Sequence, residues 1–291
     1  MDTVLRLAPV VPRPDVGDTC PVNGEQPSHA VEIALPAGRM TQRVTRRGGQ
    51  LLRPLGPWSG AVHEYLRHLA SAGFTGAPRV LGTDGEREIL TFIDGQVPSD
   101  PHWQPGHGLW LPPYARSEAA LSTAAQLVRQ LHEAAGGYRP ADTEYRFHPH
   151  PPRAGEIVSH GDLGPWNTVY RDGVPVAFID WDSAGPIDPL VDVAAAALAF
   201  VPLAAPQQLR EAGFDPVPDI GARLRLFVDA YGLSNRRAIL PALQRCPLLA
   251  AERIKYAPVT AAEAAESLEH HAQELRWLHS IIPDLDRELA S

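Results

Sequence analysis

The sequence predicts an α+β protein of two lobes, residues 1–94 forming an antiparallel-sheet lobe and residues 95–291 a mainly helical one. Three observations carry this. Short alternating segments punctuated by Gly and Pro turns fill the chain up to Asp94-Gly95. A long apolar stripe at helical spacing follows from Ser117. Beyond Pro189 the chain reads as helix with proline interruptions.

Taken in order, residues 1 to about 28 are rich in Pro, Asp and Gly without a sustained period, which predicts a loose lead-in. Ala30 to Leu35 alternates as a strand, Pro36-Ala37-Gly38 turns the chain, and Thr41 to Thr45 with Gln50 to Arg53 can pair around Gly48-Gly49. Ser59 is a candidate N-cap for a helix in which Val62, Leu66 and Leu69 recur until Gly73. Pro78 to Leu81 and Glu88 to Ile93 read as two further strands. Residues 97 to 115 have no period. Ser117 then caps a helix striped by Leu121, Ala124, Ala125, Val128, Leu131 and Ala135, which stops at Gly136-Gly137. Glu156 to Ser159 and Val174 to Ile179 read as short strands flanking a polar turn, and the apolar run Val193 to Ala205 as a buried helix.

Composition narrows the partners. Apolar residues at 44% and charged residues at 21% support a packed core, not disorder. Net charge is -8, of which residues 101–291 carry -7 (16 basic against 23 acidic residues). A field of that sign disfavours nucleic acid and favours neutral or cationic ligands. Two cysteines, Cys20 and Cys246, are too few for a disulfide framework or a zinc site, which points to a reducing cytoplasm. No signal peptide or bilayer-spanning run is evident, since Pro9, Pro12 and Pro14 interrupt the N-terminus and Pro202 breaks the longest apolar stretch.

Chemistry concentrates between His160 and Asp182, in His160-Gly161-Asp162-Leu163-Gly164-Pro165-Trp166-Asn167 and then Phe178-Ile179-Asp180-Trp181-Asp182. Protein kinases use His-Arg-Asp, four residues, Asn, and a later metal-binding Asp at a strand end. Asp162 and Asn167 keep that interval, and Asp180 follows at the end of an apolar strand. A loop of this kind can aim one carboxylate at an acceptor hydroxyl while an amide oxygen and a second carboxylate face a metal. Asp162 is then the group that orients the hydroxyl and takes its proton, and Asn167 with Asp180 hold Mg²⁺.

These motifs resemble the phosphotransferase enzyme family that includes aminoglycoside, choline and homoserine kinases, with His160 to Asn167 similar to its Brenner-type loop and Ile179-Asp180-Trp181-Asp182 to its metal motif. The resemblance is strongest from about Gln50 to Asp192. It implies a protein-kinase-like fold with a five-stranded N-lobe, a hinge and a helical C-lobe. It implies Mg²⁺ as cofactor, ATP or GTP as co-substrate, and a small hydroxylated acceptor that could bear an amine or be an antibiotic. Leu90 to Gly95 resembles the hinge, with the Thr91 carbonyl and the Ile93 amide meeting the purine edge. The family grips phosphate with a basic residue on the third strand, commonly Lys. This chain departs from that: its only lysine is Lys255, so the candidate is Arg53, paired with Glu64 on the following helix or with its neighbour His63. The phosphate-covering loop falls on Pro36 to Gln42, where Gly38 is the only glycine. A P-loop is excluded for want of a Gly-Lys-Ser/Thr run.

Other candidates read as structural. His148 and His150 sit among prolines, His160 reads as a scaffold for the loop, and Asp192 as an anchor near a helix start. His270 and His271 read as solvated, and Trp166 and Trp181 as packing beneath the loop more than as stacking platforms. Two further functions stay open. One is a binding or immunity protein that kept the fold without turnover, for which the missing lysine argues. The other is a protein kinase, against which stands the absence of Asp-Phe-Gly and Ala-Pro-Glu landmarks.

Overall fold

The structure is a computed structural model that describes residues 31–35, 43–99, 107–141, 144–148, 150–257 and 259–290. Five short strands form one antiparallel sheet: β1 (Glu32–Ala34), β2 (Thr45–Arg47), β3 (Gln50–Pro54), β4 (Val80–Asp84) and β5 (Arg87–Thr91), ordered β1-β2-β3-β5-β4. Of the strand expected over Thr41 to Thr45, residues 41–42 lie outside the described residues, and β2 begins at Thr45. The turn at Gly48-Gly49, with Gly48 at φ +59°, sets Arg47 opposite Gln50 and so fixes the register. The phosphate-loop candidate at 36–42 lies outside the described residues.

Helix α1 (Ser59–Ser71) buries Val62, Leu66 and Leu69 as its periodicity predicts, together with Ala61 and Tyr65. Ser59 is its first residue and not its cap: the hydroxyl accepts from the Gly56 amide at 3.0 Å and closes the entry turn. After α2 (Pro113–Arg116), helix α3 (Glu118–Ala135) starts where Ser117 accepts from the Ala120 amide at 3.0 Å. Its whole predicted stripe is buried.

The motif-bearing stretch is built differently from the expected strand–turn–strand. Strand β6 (Ile157–Ser159) pairs with β9 (Gly185–Ile187), whereas β7 (Thr168–Arg171) pairs with β8 (Val174–Phe178) through Asp172 (φ +51°) and Gly173 (φ +82°). Residues 160–167 therefore leave one ladder and enter another, and both their ends are held. Helices α4 (Pro189–Phe200), α5 (Pro206–Glu211), α6 (Ile220–Tyr231), α7 (Ile239–Arg253) and α8 (Ala261–Leu289) complete the chain, with α3 packed on α6, α4 on α7 and α7 on α8. No helix among the described residues is long and apolar enough to cross a membrane.

One apolar core joins the two parts of the molecule, running from Leu66 and Leu69 on α1 through Leu121 and Val128 to Phe227 and Leu243. The Tyr65 hydroxyl adds a direct tie, donating to the Val158 carbonyl at 2.6 Å. Inside the helical part, Asp192 is 2% exposed and accepts from Ser159 Oγ at 2.6 Å and His132 Nε2 at 2.9 Å, joining β6, α3 and α4. Burial works to raise this carboxyl, but the bonds from His132 and Ser159 outweigh it and hold it below the usual carboxylate range. Such a group stabilises the fold fully above its unfolded pKa of about 3.9 and loses that contribution as pH falls through its lower folded value. Asp192→Asn should cost about 2 kcal/mol at neutral pH, and urea unfolding should show the deficit against the unaltered chain narrowing below about pH 4. A pH-independent deficit would contradict the charged anchor.

Candidate active site

His160 is fully buried at the base of the loop. Its Nε2 donates to the Ile179 carbonyl at 2.9 Å and its Nδ1 accepts from the Asp162 amide at 3.3 Å, so one neutral ring ties the two motifs together. Burial pushes its pKa down, which keeps the ring neutral, and the two bonds set its tautomer. Gly161 follows at φ +79°, and a Cβ there would lie 2.0 Å from the Ser183 carbonyl oxygen. Only glycine lets the loop approach the metal-motif turn this closely.

Asp162 reaches the surface at the floor of a cleft yet is surrounded by protein. Burial raises its carboxyl above the ordinary range, against the pull of His160. Asn167 Nδ2 donates to Asp162 Oδ2 at 2.8 Å and to its carbonyl at 2.9 Å, and Trp166 Nε1 donates to Oδ1 at 3.3 Å. The two tryptophans therefore divide: Trp166 is 37% exposed beside Asp162, while Trp181 is 1% exposed and packs on His160 with ring centroids 4.6 Å apart.

Asp180 stands in the left-handed region (φ +61°, ψ +67°), a conformation Asp tolerates better than most residues. Its Oδ1 accepts from Arg53 Nη1 at 2.9 Å. Arg53 also donates through Nε to Glu88 and through Nη2 to Asp182, so one buried guanidinium serves three carboxylates. Desolvation alone would weaken the guanidinium's charge, but Asp182, Glu88 and Asp180 together raise its pKa, so it stays charged. Burial raises Asp182 above the usual carboxylate range despite Arg53. Glu88 shows the reverse, since His63 and Arg53 overcome its burial and hold it low.

The partner of Arg53 is therefore Glu88, not Glu64. Arg53 and Glu88 lie directly opposite each other across β3 and β5. Glu64 sits about 100° further round α1 than His63 and accepts from the Ala141 amide at 2.9 Å instead. The helix contributes His63, whose Nε2 bonds Glu88 Oε2. Buried Leu90, two residues along β5, was the available sign that Glu88 faces inward. Arg146 is a second residue that sequence reasoning missed. It lies over the Trp58 ring at 4.4 Å with Nη1 3.7 Å from Asp182 Oδ2.

At the end of β5, Thr91 exchanges bonds with Arg79, its amide donating at 2.9 Å and its Oγ1 accepting at 2.8 Å, and the Phe92 amide donates to the Gly49 carbonyl. The chain then leaves the ladder, and the Ile93 amide meets no acceptor among the described residues. Gln96 re-enters by exchanging backbone bonds with Tyr170 at 2.8 and 2.7 Å, which joins this segment to β7.

Magnesium favours oxygen donors. Asn167 gives its amide nitrogen to Asp162 and keeps Oδ1, while Asp180 gives Oδ1 to Arg53 and keeps Oδ2. That donor set fits a hard divalent cation. His148 is not such a donor: it accepts from Arg253 Nη2 at 3.0 Å, and burial with the nearby guanidinium pushes it down to about 3. Arg253 reaches the loop itself, with Nη1 2.8 Å from the Gly161 carbonyl. Beyond Asp162 opens a cavity of about 660 Å³ bounded by α4, α5, α7 and α8. His270 and His271 are half-buried on its wall, contrary to their expected solvation.

Comparison with known proteins agrees with this architecture. The phosphotransferase enzyme family (APH) matches residues 107–227. A trifolitoxin immunity protein of Rhizobium leguminosarum bv. trifolii is 35% identical over 212 residues, spanning 71% of this chain and 76% of that protein. Among solved structures, a choline/ethanolamine kinase family protein from Mesorhizobium loti superposes with a TM-score of 0.56 at 18% identity, covering 89% of this chain and 91% of its own. The macrolide 2'-phosphotransferase of Brachybacterium faecium, as apoenzyme, gives 0.52 at 17% identity, covering 84% and 92%. The family match, the extent of the 35% identical relative and the shared kinase-like fold place the site in context: this chain belongs to the phosphotransferase enzyme family.

Proposed function

We propose that the protein transfers the γ-phosphoryl group of ATP or GTP to a hydroxyl of a small molecule held in the cavity beside Asp162. The observation that carries this reading is that Asn167 holds Asp162 while His160 ties their loop to the turn bearing Asp180, whose carboxylate Arg53 holds in turn. In this reading residues 1–94 and 95–291 act as two lobes, and the purine edge meets the Thr91 carbonyl and the Ile93 amide. Arg53 faces the phosphates. Asn167 and Asp180 would hold Mg²⁺, which would supply neutralisation of the phosphate charge.

Asp162 accepts the proton of the attacking hydroxyl as its oxygen bonds the γ-phosphorus and the bridging P–O bond to the nucleoside diphosphate breaks. Its raised pKa suits a group that must take up that proton. Asn167 and Trp166 hold the carboxylate in one orientation, which favours attack geometry over proton affinity alone.

A second reading is favoured by one observation, the immunity protein among the relatives. In it the fold sequesters a toxin without modifying it. Release of nucleoside diphosphate coupled to acceptor phosphorylation, followed by mass spectrometry, separates the two.

Two sets of variants test the assigned roles. Asp162→Asn keeps the shape and should leave nucleotide affinity intact while turnover falls by about 10²- to 10⁴-fold. Asp180→Asn should weaken both Mg²⁺-dependent nucleotide binding and turnover, so equal metal dependence in the two variants would refute the division. For the guanidinium, Arg53→Ala should lower unfolding stability by about 3–5 kcal/mol, because it leaves buried Glu88 without its guanidinium partner, and should also weaken nucleotide binding. Arg53→Lys should restore part of that affinity. Nucleotide binding indifferent to both substitutions would remove Arg53 from the site.

A further inference from the structure

The cavity beside Asp162 has walls of one character and a single corner of another. Val191, Ala195 and Leu198 of α4, Leu249 of α7 and Trp277 of α8 give it apolar sides. Most charged groups on its lining already have partners. Asp192 is taken by His132 and Ser159. Glu211 accepts from the Gly108 amide at 2.9 Å and Gln207 Nε2 at 3.1 Å, and Arg253 donates to Gly161 and His148.

Asp162 accepts from Asn167 and Trp166. Glu274 is the carboxylate left less engaged, its hydrogen bonding among the described residues being a single long contact, 3.4 Å to His271 Nδ1. His270, His271 and Glu274 bring their nitrogen and oxygen atoms within 4.8 Å of one another, all partly buried on the cavity wall. Burial lowers the pKa of His270, so its ring offers a lone pair near neutrality. The corner is rich in acceptors and holds one formal negative charge.

A ligand entering such a cavity loses water along most of its surface. Each ammonium group it carries must then find an anion or several acceptors, because an unpaired desolvated charge is prohibitively costly. This cavity can satisfy one such group at Glu274 while Asp162 faces the hydroxyl. Among the described residues of its lining no second carboxylate is as little engaged, so there is no comparable place for a second ammonium group.

We propose that the acceptor is an apolar-bodied alcohol with a single protonated nitrogen, its hydroxyl at Asp162 and its nitrogen at the His270–His271–Glu274 corner. This rests on the phosphotransferase reading for the role of Asp162 but not for the selectivity of the cavity. Polyamine sugars are disfavoured because their further ammonium groups would lack a free anionic partner, and neutral polyols by the apolar walls.

The test is a thermal-shift and calorimetric screen of the full chain against size-matched alcohols grouped as neutral, monoamine with an apolar body, and polyamine. The monoamine group should supply the binders. Glu274→Gln should weaken them by about tenfold or more, the scale of a charge-assisted hydrogen bond, and leave Mg²⁺-ATP affinity unchanged. Binding confined to polyamines, no binding by any group, or indifference to Glu274→Gln would overturn the proposal. Loss of binding on adding EDTA in the absence of nucleotide would assign the corner to a metal ion and overturn it as well. Monoamine binding without nucleotide binding would sink the phosphotransferase reading alone, and nucleotide binding with polyamine selectivity would sink this one alone.

Discussion

The buried guanidinium of Arg53 is the constraint around which the rest of the site is arranged. A charge taken out of water must be surrounded by opposite charge and hydrogen bonds, and here the surroundings come from three directions. Glu88 approaches across the sheet, Asp180 and Asp182 come from the turn after β8, and His63 closes the ring through Glu88 from α1. The sheet, the first helix and the metal-motif turn are therefore held by one ionic node. Because Glu88 sits on a strand paired with β3, its contact with Arg53 is set by strand register and not by the placement of a helix.

That arrangement suits arginine and not lysine at position 53. Lysine offers three donors on a compact ammonium, whereas arginine offers five in a planar fork. Arg53 uses Nε, Nη1 and Nη2 on three different acids. Arg53 thus belongs with Asp182 and Glu88 as a set. Arg146, held over Trp58 beside Asp182, adds a second positive charge to the same neighbourhood.

Much of this was legible in the sequence, and the failures have physical causes. Helices α1 and α3 were readable because burial of one face imposes a 3.6-residue period, and Ser117 marked the start of α3. The loop at His160 to Asn167 was readable because its chemistry fixes residue types at fixed intervals. Pairing was not: β6 joins β9 across a long separation, although Asp172-Gly173 did carry a hairpin signal for β7 and β8 that went unread. Glu88 and Arg253 were hidden because their roles depend on which elements meet in space. His270 and His271 misled for the same reason, since a polar helix face lining a cavity has the composition of a solvated one.

In the proposed reading the Arg53 node and the Asp162–Asn167 loop together form a magnesium-dependent nucleotide site. Its most direct test is calorimetric titration of the full chain with ATP and with GTP, each with and without Mg²⁺. At least one nucleotide should bind, and markedly more tightly with Mg²⁺ than without it. Absence of binding by both, or affinity indifferent to Mg²⁺, would contradict the claim.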